Sequence, residues 1–410
     1  MIFKTYNFNK IQYRLLCEQS FSSISKPLNK WRKDFIIDVL WLILSIQGKI
    51  NFLQLARYGK RGEQHYRSQF EKGFDFLTFN SAIVEQNCSD KKAIAFDPSF
   101  IPKSGKKTAG IGYFWSGSSS RALRGLEIGG IAVVDIENNT ALHLEAVQTF
   151  CKDNQTLLDF YAQTLIDRKE ELQKISKTVV ADAYFSKEPF VKALTDEGFE
   201  LISRFRDDVR LRYVIEPIRT GKRGRPKTIG DAVDVDHLDM KYFSLIEQSN
   251  EKLQVFSGVV KAVALKRNVK VCIVKFLENQ KVKEIKIFFS TCLETDGLDI
   301  WNTYHARFQI EFLYRDAKQY TGLNNCQARD KAKLHFHFNA SLSAVNIAKT
   351  VHWLSIPKKE RGAFSMRNIK ILNHNALLLE KFFAMYGINP NRLKNKQNVK
   401  ELLYHGINAA

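Results

Sequence analysis

Four side chains in the segment 301–318 have the types and the spacing for phosphate chemistry: Tyr304, Arg307, Glu311 and Lys318. The segment holds no Pro or Gly and is rich in strong helix formers, which predicts one continuous helix. At about 100° per residue the four fall within about 60° of one another, on a single stripe. One carboxylate between cations suits a metal ion beside phosphates. The acid would ligate the metal, and Arg as a fork and Lys as a point charge would take the phosphate oxygens. Arg315 falls on the same stripe, either as a further phosphate contact or as a helical neighbour that pairs with Glu311. Phe308, Phe312 and Leu313 lie off it and are expected in the core. The same spacing also describes a solvated helix face with i,i+4 ion pairs, so the stripe alone does not decide.

Two further acids stand where strands should position them. Ala93 to Phe96 reads as a buried strand ending at Asp97, with Pro98 expected to stop it. Thr178 to Ala181 reads as a second short apolar strand ending at Asp182. An acid at the end of a buried strand is costly unless it has ionic partners. Around these acids, residues 92–206 read as strand, strand, strand, helix, strand, helix, strand. Segments 126–135 and 141–149 form a hairpin about the turn at 137–140, and 154–175 reads as a single amphipathic helix. Segment 103–124 reads as polar and rich in Gly and Lys. The order predicts an α/β fold, a mixed sheet with flanking helices.

The remaining blocks follow from composition shifts. Residues 1–88 read as a helical domain whose basic and aromatic edges suit DNA binding, with packing or dimerisation as the alternative. Residues 92–206 would be the first part of the core, 207–290 a β-rich insertion, 291–355 the second part of the core with the Glu311 helix, and 356–410 a basic helical tail. Thr321-Gly322 is a plausible helix stop. The string K-R-G-R-P-K at 222–227 has the short form of an A·T-hook. Its Gly would admit the backbone to a narrow minor groove, with Arg223 and Arg225 along the floor; a solvated basic loop is the competing reading. His335 and His337 lie two apart and do not share a helical face, so packing is the default for both.

The chain has 410 residues, with 63 Lys and Arg against 43 Asp and Glu, a net charge of +20 and a pI near 9.5. The excess is dispersed, which favours a polyanionic partner, nucleic acid first and an anionic membrane surface second. A hydrophobic fraction of 44% argues against wholesale disorder. Cys17, Cys88, Cys151, Cys272, Cys292 and Cys326 show no C-x-x-C spacing and fit a reducing compartment. The most apolar run, 35–46, is too short to span a bilayer and contains Asp38, and residues 1–10 do not read as a secretory leader. A soluble cytoplasmic protein is expected.

Asp97, Asp182 and Glu311 together could hold two Mg²⁺ ions about 3.5–4 Å apart. Carboxylate-only ligation selects Mg²⁺ or Mn²⁺ over zinc. In this setting the spacing Tyr304, two residues, Arg307, three residues, Glu311, six residues, Lys318 resembles in full the Y-R-E-K signature of DDE transposases of the insertion sequence 4 group. That family has a ribonuclease H-like core whose first two acids follow strands, with a β-rich insertion ahead of the glutamate. Asp97 in Ala-Phe-Asp-Pro-Ser, Asp182 in Val-Val-Ala-Asp-Ala-Tyr-Phe and the block at 207–290 match those places. The resemblance covers about residues 92–350 and leaves the N-terminal domain and the tail uncovered.

The resemblance implies cut-and-paste transposition. Double-stranded DNA would be bound at terminal inverted repeats and paired in a homodimeric synapse. It would be nicked to free a 3′-hydroxyl, closed to a hairpin, reopened and joined to target DNA. Tyr304, Arg307 and Lys318 would contact the DNA end. A flipped base would stack on an aromatic, with Trp301, Phe308 and Trp115 as candidates. Two alternatives remain on the same acids: a metal-dependent nuclease of this fold without strand transfer, and a domesticated DNA-binding regulator. A retaining glycosidase with two carboxylates explains neither the positive charge nor the cationic stripe.

Overall fold

The structure, a computed structural model, describes residues 2–151, 154–217, 227–246, 252–389 and 392–408. Arg223 and Arg225 lie outside the described residues. Five helices open the chain: α1 (Ile2–Ser22), α2 (Lys30–Ser45), α3 (Phe52–Tyr58), α4 (Glu63–Phe70) and α5 (Phe76–Asn87). Asn29, Asn51 and Asp75 cap α2, α3 and α5 by accepting the backbone N–H three residues on, as short polar side chains do at N-caps. Helix α2 is apolar nearly all round. It packs between α1 and two helices from the end of the chain, α11 (Lys331–Lys349) and α12 (Met366–Tyr386).

A single mixed sheet of twelve strands follows. Its first part holds β1 (Lys92–Pro102), β2 (Gly112–Ser116), β3 (Arg121–Asp135) and β4 (Thr140–Gln148). After α6 (Leu157–Ile166) and α7 (Lys169–Ile175) come β5 (Thr178–Val180), α8 (Glu188–Asp196) and β6 (Glu200–Arg204). Strand β3 pairs antiparallel with β1, β2 and β4, whereas β1, β5 and β6 run parallel. The hairpin of β3 and β4 stands as expected. Segment 103–124 also contains β2 and the start of β3.

Two local expectations are corrected. Strand β1 does not stop at Pro98 but continues to Pro102, paired with β3 throughout. Strand β5 pairs with β1 only at Ile94 and Ala95, so beyond Asp97 one edge of β1 is open, and a residue without an N–H is tolerated there. Segment 154–175 is two helices. The chain turns at Arg168, whose guanidinium binds Glu145 of β4 and the Thr164 carbonyl, while α6 packs on α8 and α7 on α5.

Strands β7 (Leu211–Val214), β8 (Ile229–Ala232), β9 (Phe243–Leu245), β10 (Leu253–Ala262), β11 (Arg267–Glu278) and β12 (Lys281–Ser290) extend the same sheet. The join is β12 against β6, Phe288 to Ser290 opposite Arg204 to Ile202. The far edge, β4, is closed by side chains. Asn339 and Asn346 of α11 each accept from a backbone N–H of β4, at Ala146 and His143, and donate to the carbonyl of the same residue. They imitate a neighbouring strand and blunt an exposed edge. Two more helices, α9 (Gly297–Ala306) and α10 (Gln309–Tyr320), cross the sheet, and α13 (Leu393–Tyr404) packs on α12. Gly322, with φ +75°, ends α10 at the predicted stop. Among the described residues no helix is long and apolar enough to cross a membrane.

Candidate active site

Parallel register sets two of the three acids side by side. Ile94 faces Val179 and Ala95 faces Val180. The same offset carried two residues on places Asp97 beside Asp182. Asp182 lies just past the end of β5, where its carboxylate caps a short 3₁₀ turn by accepting from the Tyr184 N–H at 2.8 Å. Its carbonyl accepts from the Ser203 hydroxyl of β6.

Glu311 arrives from the other direction, in the first turn of α10, where the positive helix end favours a carboxylate. The expected single helix over 301–318 is broken at Arg307 and Phe308, between α9 and α10. Both residues keep right-handed helical angles, but bonds of the i→i−3 type tighten the turn, among them Phe308 N–H to His305 and Glu311 N–H to Phe308. Tertiary packing drives the break. Helix α9 lies on β6, β11 and β12, with Trp301 against Phe276 and Phe288. Helix α10 lies on β4, β3 and β1 through Ile310, Leu313 and Ala317. The core expectation holds for Leu313 but not for Phe308. That ring is 48% exposed at the break, edge-on to Phe312.

Asp97, Asp182 and Glu311 line one cleft of about 1120 Å³, together with Lys318, Arg315, Trp115 and Tyr184. Arg307 stands among the acids. Its Nη2 lies 3.0 Å from Glu311 Oε1 and its Nη1 3.9 Å from Asp97 Oδ1, while its Nε is buried with no partner among the described residues. Tyr304 packs on Phe288 and lies under the Arg307 guanidinium at 5.6 Å. Arg315 does not pair with Glu311; it pairs with Asp316 and covers Phe312. Burial lowers the pKa of Lys318, against the pull of Asp97. His337 is a packing residue, its Nε2 bonded to the Gly322 carbonyl.

The residues that line this cleft lie within a stretch that matches a known family. The sequence model of the family described as Transposase DDE domain matches residues 89–347. The chain belongs to the DDE transposase family. The matched stretch begins just ahead of β1 and ends within α11, so it contains all three acids and the mixed sheet, whose fold is ribonuclease H-like. No curated protein matches the chain.

The DDE transposase cleft also holds residues that sequence reading passed over. Tyr314 is buried on α10 and donates to the Asp97 carbonyl at 2.6 Å. It fits because Gly130, opposite Asp97 on β3, has no Cβ to occupy the place of the Tyr314 hydroxyl. Glu127 on β3 is a fourth carboxylate lining the cleft, and accepts from Thr149 at 2.9 Å and Tyr161 at 2.5 Å. A lone acid inside the apolar run 126–134 is the signal that could have found it.

The charges in this transposase cleft are out of balance. Burial raises the Asp97 carboxyl from 3.8 to about 7; Arg307 opposes the rise, and Asp182 and Glu311 add to it. Between about pH 4 and 7 the folded chain therefore holds a proton that the unfolded chain releases, so stability falls as pH rises through that window. Asp97→Asn removes the effect. In EDTA it should match the parent near pH 4 and exceed it by at most about 4 kcal/mol above pH 7, the opposing pull of Arg307 being already contained in the shift. Urea melts at pH 5 and pH 8 check this; an equal difference at both would refute the assigned cause.

Among the described residues no three His, Cys, Asp or Glu side chains are grouped closely enough to hold a metal ion. The donors nevertheless fit a hard divalent cation, since all are carboxylate oxygens. A cation, the Arg307 guanidinium, already stands between Asp97 and Glu311.

Proposed function

We propose that the chain is a cut-and-paste DNA transposase of the insertion sequence 4 type, cleaving at the terminal inverted repeats of its own element and joining the freed ends to target DNA. The observation that carries this reading is one cleft in which three carboxylates from β1, the end of β5 and α10 face Lys318 and Arg315. Two Mg²⁺ ions bound by Asp97, Asp182 and Glu311 would activate the attacking water or 3′-hydroxyl and stabilise the leaving oxygen.

The chain's own groups do the rest. Lys318, two turns beyond Glu311, supplies a point charge for a flanking phosphate. Arg307 exchanges its carboxylate partners for phosphate oxygens when DNA enters, and its unpaired Nε gives it a donor to spare. The Tyr304 hydroxyl lies in reach of the same guanidinium and completes the grip on the DNA end. Tyr314 ties α10 to β1, so Glu311 and Asp97 keep a fixed separation. Trp115, 64% exposed, lines the cleft and would stack a base lifted out at a hairpin end, whereas Trp301 is engaged with Phe276, Phe288 and His305. Two copies would act as a homodimer on paired ends, in the cytoplasm and on nucleoid DNA, with Arg223 and Arg225 adding minor-groove contacts.

Purified chain incubated with Mg²⁺, a duplex carrying the element end and a second duplex tests the reading. It should yield a 3′-hydroxyl at the element boundary and a joined product. Cutting without joining would make it a nuclease of the same fold. Lys318→Ala should weaken binding to the end roughly tenfold, the scale of one charge-assisted contact, with metal affinity unchanged. An equal loss of metal affinity would remove Lys318 from the phosphate role.

A further inference from the structure

A second concavity opens beside the catalytic cleft. It measures about 680 Å³ and shares Pro102 and Asn324 with the cleft as a common wall, so the two are adjacent. Its walls are the segment after β1 and the loop between α10 and α11. They are stapled together by Lys103 Nζ to the Cys326 carbonyl and by the Ala109 N–H to the Arg329 carbonyl at 3.2 Å. Asn325 accepts from the Ile50 N–H and fixes the loop to the helical layer.

The lining is one-sided in charge. Lys49, Lys103, Lys106, Lys107 and Arg329 line it and no carboxylate does. Among the described residues none of the five forms an ion pair, while many other surface lysines here do, such as Lys169 with Glu197 and Lys192 with Asp196. Like charges gathered in a concavity repel one another and concentrate field lines, and an anion relieves both. At the seam Asn324 keeps its side-chain oxygen buried without a partner among the described residues. The Gly- and Lys-rich run after β1 thus serves two places: residues 103–108 line the trough and 113–119 line the carboxylate cleft.

We propose that this trough holds phosphates of the DNA strand that continues past the scissile phosphate. The proposal rests on the cleft being a DNA-cleaving site. Lys103, the first residue past β1, lies six residues from Asp97, about 20 Å at ~3.3 Å per residue. At ~3.4 Å of duplex rise per nucleotide the trough meets the strand about six nucleotides from the cut. The wall shared with the cleft favours the same strand over a second, target duplex.

The test compares two double variants of the full chain, Lys106→Ala/Lys107→Ala in the trough and Lys281→Ala/Lys283→Ala at the β11–β12 turn. Binding of a duplex carrying the element end is measured in EDTA across a salt series, so that neither metal nor catalysis enters. Loss of two phosphate contacts should flatten the slope of log K against log salt by about 1.8 and weaken binding on the order of 50-fold at 0.1 M salt. The β11–β12 variant should keep the parental slope. Cleavage by the trough variant should fall in step and recover at high DNA concentration. Equal slope changes in both variants would mean a general charge effect and overturn the proposal. Normal cleavage with loss of joining alone would assign the trough to target DNA and also overturn it, leaving the transposase reading intact. Failure of the parent chain to bind the duplex at all would defeat both.

Discussion

Glu311→Gln and Asp182→Asn are each expected to reduce DNA cleavage about 10³- to 10⁴-fold while the fold and DNA binding persist. The magnitude is that of several kcal/mol of charge stabilisation supplied through a metal ligand, the role proposed for both residues. Both substitutions are close in shape. Glu311 has a side chain 42% exposed, so the amide meets no packing conflict and can still accept from Arg307. Asp182 accepts from the Tyr184 N–H, a bond that the Asn side-chain oxygen can also make. Loss of activity therefore reports the missing charge and not a lost fold. The measurement is cleavage of an element-end duplex, with binding followed separately. Either variant cutting within tenfold of the parent would take that residue out of the chemistry. Full function of Glu311→Gln in cells would favour a DNA-binding regulator instead.

Gly130→Ala should destabilise the chain by about 3 kcal/mol, at the upper end of overpacking costs, and abolish cleavage with it. A Cβ at this position would be built into the Tyr314 hydroxyl, with Tyr314 Cζ only 2.8 Å away. Neither neighbour can yield easily, because β3 is paired along both edges and Tyr314 is fixed by its bond to the Asp97 carbonyl. Any displacement of Tyr314 moves Glu311, three residues earlier on the same helix. Adding Tyr314→Phe removes the atom in closest conflict, so the double variant should regain part of the stability seen in thermal melts. Absence of any recovery would place the strain elsewhere than in the Tyr314 contact.

The candidate site residues were legible because their types stand at short spacings. Read as one helix, the four residues of 304–318 fall on one face by angle, although Tyr304 stands on α9 and Glu311 and Lys318 on α10, and Asp97 and Asp182 each follow a run of residues apolar enough to be a buried strand. The hairpin of β3 and β4 and the three long strands between residues 253 and 290 showed in alternation and turn residues. Breaks in regular structure did not show. Arg307 and Phe308 have ordinary helical angles, and Arg168 is an ordinary helix former. Each break exists because the segments on either side pack on different surfaces, which no local signal reports. Pro98 gave a clear stop signal that failed, since its cost depends on whether the adjacent edge is paired.

By itself the sequence determined residue types, their local geometry and the sign of the molecule's charge, because these depend on neighbours a few positions away. Tertiary structure alone decided the long-range pairings. Arg307 stands between Glu311 and Asp97, 210 positions earlier; Tyr314 holds the Asp97 carbonyl; β12 joins β6 so that strands β7 to β12 continue the sheet. It also decided where unpaired cations gather, since charges far apart in the chain share a concavity only once the sheet and α10 have brought their loops together.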